Sequence, residues 1–216
     1  MSLAKKFDER LKRNTTLRAV WLPGTKVQLG DILRIKNGVF ESIAKLSDYE
    51  ITFEKIDLSD ILSIKFQAQG VSYQIIQGEG NVDLKNINMK AAAELKISFN
   101  SEDSYFIRTP ELEGEGISNI IKLSKQIAKI TNWDFRNYFI AWNIWSAKEF
   151  IFLGSTSKNT SVKFKGDGQA INNLLNTGIS SNVSYQRESK ISFEIIGASG
   201  PLAMKVFRVK RNGEFY

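Results

Sequence analysis

The chain contains no cysteine and no histidine. Without thiols there is no disulfide framework, no thiolate metal site and no cysteine nucleophile. Without imidazole there is no His-containing triad, and the commonest general base and zinc ligand are missing. Proline is scarce, at 3 of 216 residues, so no Pro-rich linker is available. No apolar run approaches the roughly 18 residues of a membrane-spanning helix. That leaves a spanning β-barrel untouched, because barrel strands alternate instead of running apolar. The start Met1-Ser2-Leu3-Ala4-Lys5-Lys6 goes directly into charged residues and lacks the apolar stretch of a secretory signal, so a cytoplasmic resting location is expected.

What is present is globular composition: 42% hydrophobic and 25% charged, which excludes a disordered or collagen-like chain. The length suits one domain over residues 1–216, with enough chain to bury a core unaided. The net charge is +7 and unevenly spread. Lys5, Lys6, Arg10, Lys12, Arg13, Arg18, Lys26, Arg34 and Lys36 crowd the first 36 residues against Asp8, Glu9 and Asp31. Lys205, Arg208, Lys210 and Arg211 face only Glu214 near the other end, and the middle is slightly acidic. Each cation alone reads as solvated surface charge. Ends that converge would form a patch attracting nucleic acid or an anionic membrane leaflet.

Leu3, Phe7 and Leu11 fall at i, i+4 and i+8, which predicts a short helix over Ala4–Arg13 with an apolar stripe. Lys5, Lys6, Arg10, Lys12 and Arg13 occupy its other faces, the pattern of an interfacial helix. The alternative is a helix that docks Phe7 and Leu11 on the core; docking first and release later satisfies both. Thr15–Leu22 reads as a strand stopped at Pro23-Gly24. Asn37-Gly38 between Ile32–Ile35 and Val39–Ser42 signals a hairpin. Asp57–Ile64 fits a helical turn or a strand, and Val71–Ile76 fits a strand.

The strongest periodic signal is Ile87–Asn100. Ile87, Met89, Ala91, Ala93, Leu95, Ile97 and Phe99 take alternate positions, and Asn88, Lys90, Ala92, Glu94, Lys96, Ser98 and Asn100 fill the others. Sustained period two predicts one long strand with an apolar and a polar face. Ser104–Thr109 reads as a strand ended by Pro110 and a Glu/Gly loop, Glu111–Gly116. Ile117–Ile130 reads as a helix with Ile117, Ile120, Ile121, Ile127 and Ala128 on one face. Tyr138–Ser146 and Glu149–Ser155 are aromatic, β-branched strands. Their aromatics read as core: only Arg136 and Lys148 accompany them, whereas a base-stacking platform interleaves cations, so no nucleic-acid partner is expected. Thr160–Lys165, Val183–Gln186, Lys190–Ile195 and Leu202–Val209 complete the strands, with Asp167 placed to cap a helix over Ala170–Leu175. About ten strands, mostly consecutive, and three helices predict an α+β fold around a large twisted antiparallel sheet.

Few residues in the sequence carry a chemical signature. There is no P-loop; Gly78-Glu79-Gly80 and Gly166-Asp167-Gly168 are fragments of a dinucleotide motif better read as turns. Asp57, Asp60, Glu111, Glu113 and Glu115 are of the type that ligates a hard cation, but Glu111–Glu115 has no EF-hand spacing and reads as solvated charge in a Gly loop; Ser124-Lys125 and Ser157-Lys158 lack a supporting motif. No catalytic residue, metal site or cofactor is assigned, and a non-enzymatic role is expected.

The order of elements resembles the gasdermin family, specifically its pore-forming amino-terminal domain. The likeness runs through the basic first helix and Val20-Trp21-Leu22-Pro23 into Gly30-Asp31-Ile32-Leu33. It continues through Ser72-Tyr73-Gln74, Asn81-Val82-Asp83-Leu84, Ala91–Phe99 and Ser104-Tyr105-Phe106 to Tyr138–Ile144 with Lys148-Glu149-Phe150. It closes on Lys190–Glu194 and Gly200–Val206. The resemblance implies a gasdermin-like fold and a domain that binds acidic lipid, here through Lys5, Lys6, Phe7, Arg10, Leu11 and Arg13. It implies homo-oligomerisation and insertion of two β-hairpin regions as a barrel, in defence or regulated cell death, moving from cytoplasm to inner membrane. The first inserting strand would carry Ile87, Met89, Ala91, Ala93, Leu95, Ile97 and Phe99; the second hairpin would be Thr160–Lys165 with Val183–Ile195. Two departures stand out. Many bacterial members carry a lipidated cysteine near the start, absent here. Members are held silent by a carboxy-terminal segment, and only about seven residues follow the strand expected to end near Val209. A trimmed form, a protease or an inhibitory partner chain would account for that. The competing expectation is a soluble, non-enzymatic binding module for an anionic or protein partner.

Overall fold

The computed structural model describes residues 2–216, with the side chains of Asp60 and Ile61 outside the description. The order is α1 (Leu3–Thr15), β1 (Arg18–Ala19), β2 (Asp31–Lys36), β3 (Val39–Lys45), β4 (Lys55–Gln67), β5 (Val71–Gln77), β6 (Gly80–Val82), β7 (Ala92–Phe99) and β8 (Ser104–Ile117). Then follow α2 (Ile120–Ile127), β9 (Phe139–Ser155), β10 (Thr160–Asp167), α3 (Gly168–Thr177), β11 (Ser184–Arg187) and β12 (Phe193–Phe207). A seven-stranded sheet runs β1-β12-β9-β2-β3, with β8 joining β9 to β4. A five-stranded sheet runs β11-β10-β7-β5-β6. This is an α+β architecture of large antiparallel sheets with few helices.

The chain divides into two compact units. One comprises Met1–Lys6, Ser63–Glu111 and Ala147–Ser199; the other comprises Phe7–Leu62, Leu112–Ser146 and Gly200–Tyr216. Each has its own apolar core. In the second, Val20, Ile32, Leu33, Phe40, Leu46, Ile140, Ile144 and Met204 pack together. Its β2–β3 hairpin closes on Asn37 (φ 53°) and Gly38 (φ 81°), both left-handed as a two-residue primed turn requires. In the first unit the core is the inner face of the five-stranded sheet, covered by Ile171, Leu174 and Leu175 of α3 and by Phe106, Ile151 and Leu153.

Several expected boundaries move, each for a physical reason. The Glu/Gly stretch is strand: β8 runs through Pro110, where Thr109 Oγ1 accepts the Ile64 N–H at 2.8 Å. Gly114 and Gly116 serve packing there, not a turn. A Cβ at 114 would lie 2.9 Å from Trp145 Nε1, and one at 116 would lie 2.8 Å from Asn143 Oδ1. The two aromatic strands are one, the 17-residue β9, and Lys190–Ile195 and Leu202–Val209 are replaced by the continuous β12. Asp57–Ile64 is strand, within β4, and Thr15–Leu22 keeps only the short β1. Helix α2 is shorter than its apolar pattern because Asn119 caps it, accepting the Lys122 N–H at 3.0 Å. Ile117 therefore ends β8, and Ile121 is 59% exposed while Leu123 takes the inner face.

Within β7 the two faces differ in energetic weight. Leu95→Ala should lower stability by about 2–5 kcal/mol in chemical denaturation, whereas Ser98→Ala on the opposite face should stay within about 0.5 kcal/mol. Equal effects would contradict the one-sided burial.

Candidate functional site

Helix α1 presents cations outward and hides its stripe. Leu3, Phe7 and Leu11 are buried, while Lys5, Arg10, Lys12 and Arg13 are exposed. Lys6 Nζ donates to Glu102 O at 3.0 Å. Asp8, 7% exposed, is the helix's polar anchor: Arg18 gives it Nη2 at 2.6 Å and Nε at 3.1 Å, and the Ala19 N–H adds a bond of 2.8 Å. Of the six residues assigned to lipid binding, Lys5, Arg10 and Arg13 are exposed, Lys6 is half-buried, and Phe7 and Leu11 are sealed. Burying each such side chain is worth about 1.5–3 kcal/mol, so in this state the helix docks.

The five-stranded sheet holds the second group of assigned residues. Across β5, β7 and β10 the register sets Val71 and Thr160 opposite Phe99, Val162 opposite Ile97, and Ile75 and Phe164 opposite Leu95. Ala93, Leu95, Ile97 and Phe99 are all buried, in strict alternation with Ala92, Glu94, Lys96 and Ser98. The other face is an ionic lattice. Lys96 and Lys163 meet Glu188 at 2.9 and 3.0 Å; Lys163 and Lys165 meet Glu94 at 2.9 and 3.6 Å. Ser161 Oγ donates to Glu188 at 2.7 Å. The sheet is thus dry on one side and densely charged on the other.

The strand expected over Ile87–Asn100 is shorter than its alternation: β7 begins at Ala92, and Ile87, Met89 and Ala91 lie outside it. Residues 88–91 turn instead, with Ala91 N–H on Asn88 O (3.2 Å) and Lys90 N–H on Asn88 Oδ1 (3.1 Å). The Gln77 side chain holds Asn88 from both sides, accepting its N–H and donating to its carbonyl, each at 2.8 Å. Ile87 is buried and Met89 is 40% exposed. The second hairpin is also redrawn. β10 pairs with β11 across α3, whereas Phe193 and Ile195 belong to β12 in the seven-stranded sheet. The ladder ends because the Glu188 and Ser189 N–H groups both turn to Ser161 O.

Helix α3 covers the dry face. Asp167 caps it, accepting the Ala170 N–H at 2.7 Å, as its position in the sequence implied. Sequence reasoning missed Arg108 on β8, which is 8% exposed and carries no ion pair among the described residues; its guanidinium lies 4.1 Å over the Phe106 ring. Desolvation holds its pKa below the ordinary arginine value, with Tyr73 acting in the opposite direction. A lone arginine in an apolar strand gives no signal of such a role. At the other end of the chain, the Arg208 guanidinium lies 5.0 Å from the Phe139 ring and 4.6 Å from the Tyr216 ring. Among the described residues no group of three or more acidic side chains is placed to hold a metal ion, and no helix is long and apolar enough to cross a membrane.

No protein-family model matches the chain, and no curated protein matches it in sequence. Among the solved structures similar to it are two gasdermins. A bacterial gasdermin from Bradyrhizobium tropiciagri is 10% identical, with 97% of this chain and 89% of that one covered at a TM-score of 0.41. The gasdermin A3 membrane pore is 13% identical, with 94% and 88% covered at a TM-score of 0.37.

The ionic lattice should be measurable as a salt-dependent contribution. Glu188→Gln removes the shared acceptor of two lysines and should lower stability measurably at low salt. In about 1 M salt, where the Debye length falls to roughly 3 Å, most of that difference should vanish. A salt-independent loss would mean that Glu188 acts through packing.

Proposed function

We propose that residues 1–216 act together as a membrane-permeabilising, pore-forming protein. Its exposed α1 cations meet an acidic lipid surface, copies of the chain assemble, and strands of the five-stranded sheet insert as a barrel. The observation that carries this reading is the division of β7 and its neighbours into a dry face and a charged face. A barrel wall needs that division, with apolar side chains toward lipid and polar ones toward the lumen, and every backbone group paired. Moving the dry face from a protein core to lipid tails exchanges one apolar surrounding for another, so the transfer itself is nearly neutral. The cost lies in removing what covers that face now.

Length adds support. β7 has 8 residues, short of the roughly 9–11 that a tilted spanning strand needs. Ile87, Met89 and Ala91 continue its alternation in phase, so straightening residues 87–91 supplies the deficit. On this reading the period-two pattern describes the inserted strand, and the turn belongs to the resting state. The docked Phe7 and Leu11 likewise describe a resting helix whose cations engage lipid before its stripe does. The resting protein is cytoplasmic and the active form lies in the inner membrane, in a defence or cell-death role; release follows loss of an inhibitory partner or a proteolytic cut. A soluble binding module for an anionic or protein partner would keep this closed arrangement permanently.

Vesicles of phosphatidylcholine and phosphatidylglycerol loaded with a self-quenching dye test the reading. The chain should release dye only when anionic lipid is present. Joint reversal of Lys5, Lys6, Arg10 and Arg13 to Glu should slow release by about tenfold or more, since each basic residue near an anionic surface is worth about 1 kcal/mol. Absence of leakage under any trigger would end the proposal.

The cysteine-free background allows single-cysteine labels. A polarity-sensitive dye at positions 89, 91, 95 and 97 should report a lipid environment after mixing with such vesicles, and one at 94, 96 and 98 a wet one. Labels at 89 and 91 that stay wet would show that these residues do not join the inserted strand.

A further inference from the structure

Helix α3 is fastened at both ends, by different means. At its C-terminal end the last carbonyls lack helical donors. Gly178 N–H donates to Leu174 O at 3.0 Å, and Arg108 Nε donates to Leu175 O at 3.0 Å. The same guanidinium donates Nη1 to Phe66 O (3.0 Å) and Ile107 O (2.8 Å) and Nη2 to Gln67 Oε1 (3.1 Å). Every acceptor is neutral. A buried cation without a carboxylate is a costly residue for filling space, and the negative end of a helix dipole is one of the few things that offset it.

At its N-terminal end the helix's first amides reach outside the helix. Gly168 N–H donates to Ala91 O at 2.9 Å and Gln169 N–H to Met89 O at 3.0 Å. These are carbonyls of the turn that cuts β7 short. The approach is backbone on backbone: a Cβ on Gly168 would lie 2.1 Å from Asn88 O. At the far end a Cβ on Gly178 (φ +71°) would lie 2.1 Å from Arg108 O. Between the two ends, Ile171, Leu174 and Leu175 cover the sheet's dry face.

We propose that α3 is a two-ended clasp that sets the length of β7. Arg108 holds the helix down over the apolar face, and the seated helix holds Met89 and Ala91 in the turn. Lifting α3 does two things at once. It uncovers the apolar face, and it leaves residues 88–91 held in their turn by the Gln77 side chain and the turn's own bonds, one step from straightening into the strand. The shielding of the dry face and the shortening of β7 are therefore one equilibrium, controlled from Arg108. Its consequence for permeabilisation rests on the pore reading; the coupling between the two ends does not.

Hydrogen exchange on the full chain without membranes tests the coupling, with one variant made at each end and read at the other. Arg108→Gln should speed exchange of the amides of residues 90, 91, 168 and 169 by at least about tenfold, and Gly168→Ala should do the same for Gly178 and residues 172–176, because coupled segments open together. In both variants the amides of Ile97 and Phe99 should change by less than about twofold. Acceleration confined to the mutated end overturns the clasp. If Arg108→Gln loosens the whole unit, Gly168→Ala decides, and a uniform loss there too overturns the clasp. The same variants are then mixed with the dye-loaded anionic vesicles. Leakage several-fold faster than that of the unmodified chain supports the clasp as the control of insertion. Two-ended opening with leakage at the unmodified rate overturns that control. Two-ended opening with no leakage from any form supports the clasp and overturns the pore reading.

Discussion

The structure depends on one constraint: β7 has a face that must be kept from water and a face that must not. In a strand the two alternate at every residue, so neither can be adjusted without the other. The protein answers by giving each face its own partner. Apolar side chains of β5 and β10 extend the dry surface sideways, and α3 lies over it. On the reverse, Lys96, Lys163 and Lys165 share Glu94 and Glu188, so that crowded cations do not repel across neighbouring strands. The register ties the two solutions together, because slipping β10 by one residue would set Lys163 against the core and Phe164 in water.

Much of this was legible in the sequence, and the failures share a cause. Period two over Ala93–Phe99, the Asn37-Gly38 turn, the Asp167 cap and the apolar stripe of α1 are local signals, and the structure carries each of them. The errors arose where tertiary packing overruled a local rule. Pro110, Gly114 and Gly116 read as breakers, yet β8 runs through all three, and at 114 and 116 Trp145 and Asn143 leave no room for a larger residue. Lys190–Ile195 and Leu202–Val209 read as separate strands, yet β12 runs without a break through Gly200-Pro201. Ile121 fell on the apolar face of a helix whose start was placed too early. The misplaced start of β7 is of another kind: the alternation at Ile87, Met89 and Ala91 is real, and contacts from Gln77 and α3, far away in sequence, override it.

The site was legible in part. The α1 cations could be identified as an exposed group because amphipathicity is written at helical spacing. That Phe7 and Leu11 would be sealed could not be decided, since the same stripe serves a core or a lipid surface. Glu188 and Arg108 were invisible for a common reason. Their roles follow from what lies across a strand pair or beneath a helix, and no short-range pattern encodes a lysine two strands away or a carbonyl at the end of a helix.

The glycine contacts at the two ends of α3 have a consequence for how the chain can vary. The helix has ten residues and spans about 15 Å, and both of its ends meet other backbone directly. Side chains can flex to take up a misfit, but main chain against main chain cannot. One added or lost residue would rotate one seat by about 100° relative to the other, so only one could engage at a time. The segment 168–177 therefore behaves as a gauge of fixed span: its surface letters are free to drift over evolutionary time, while its residue count is not.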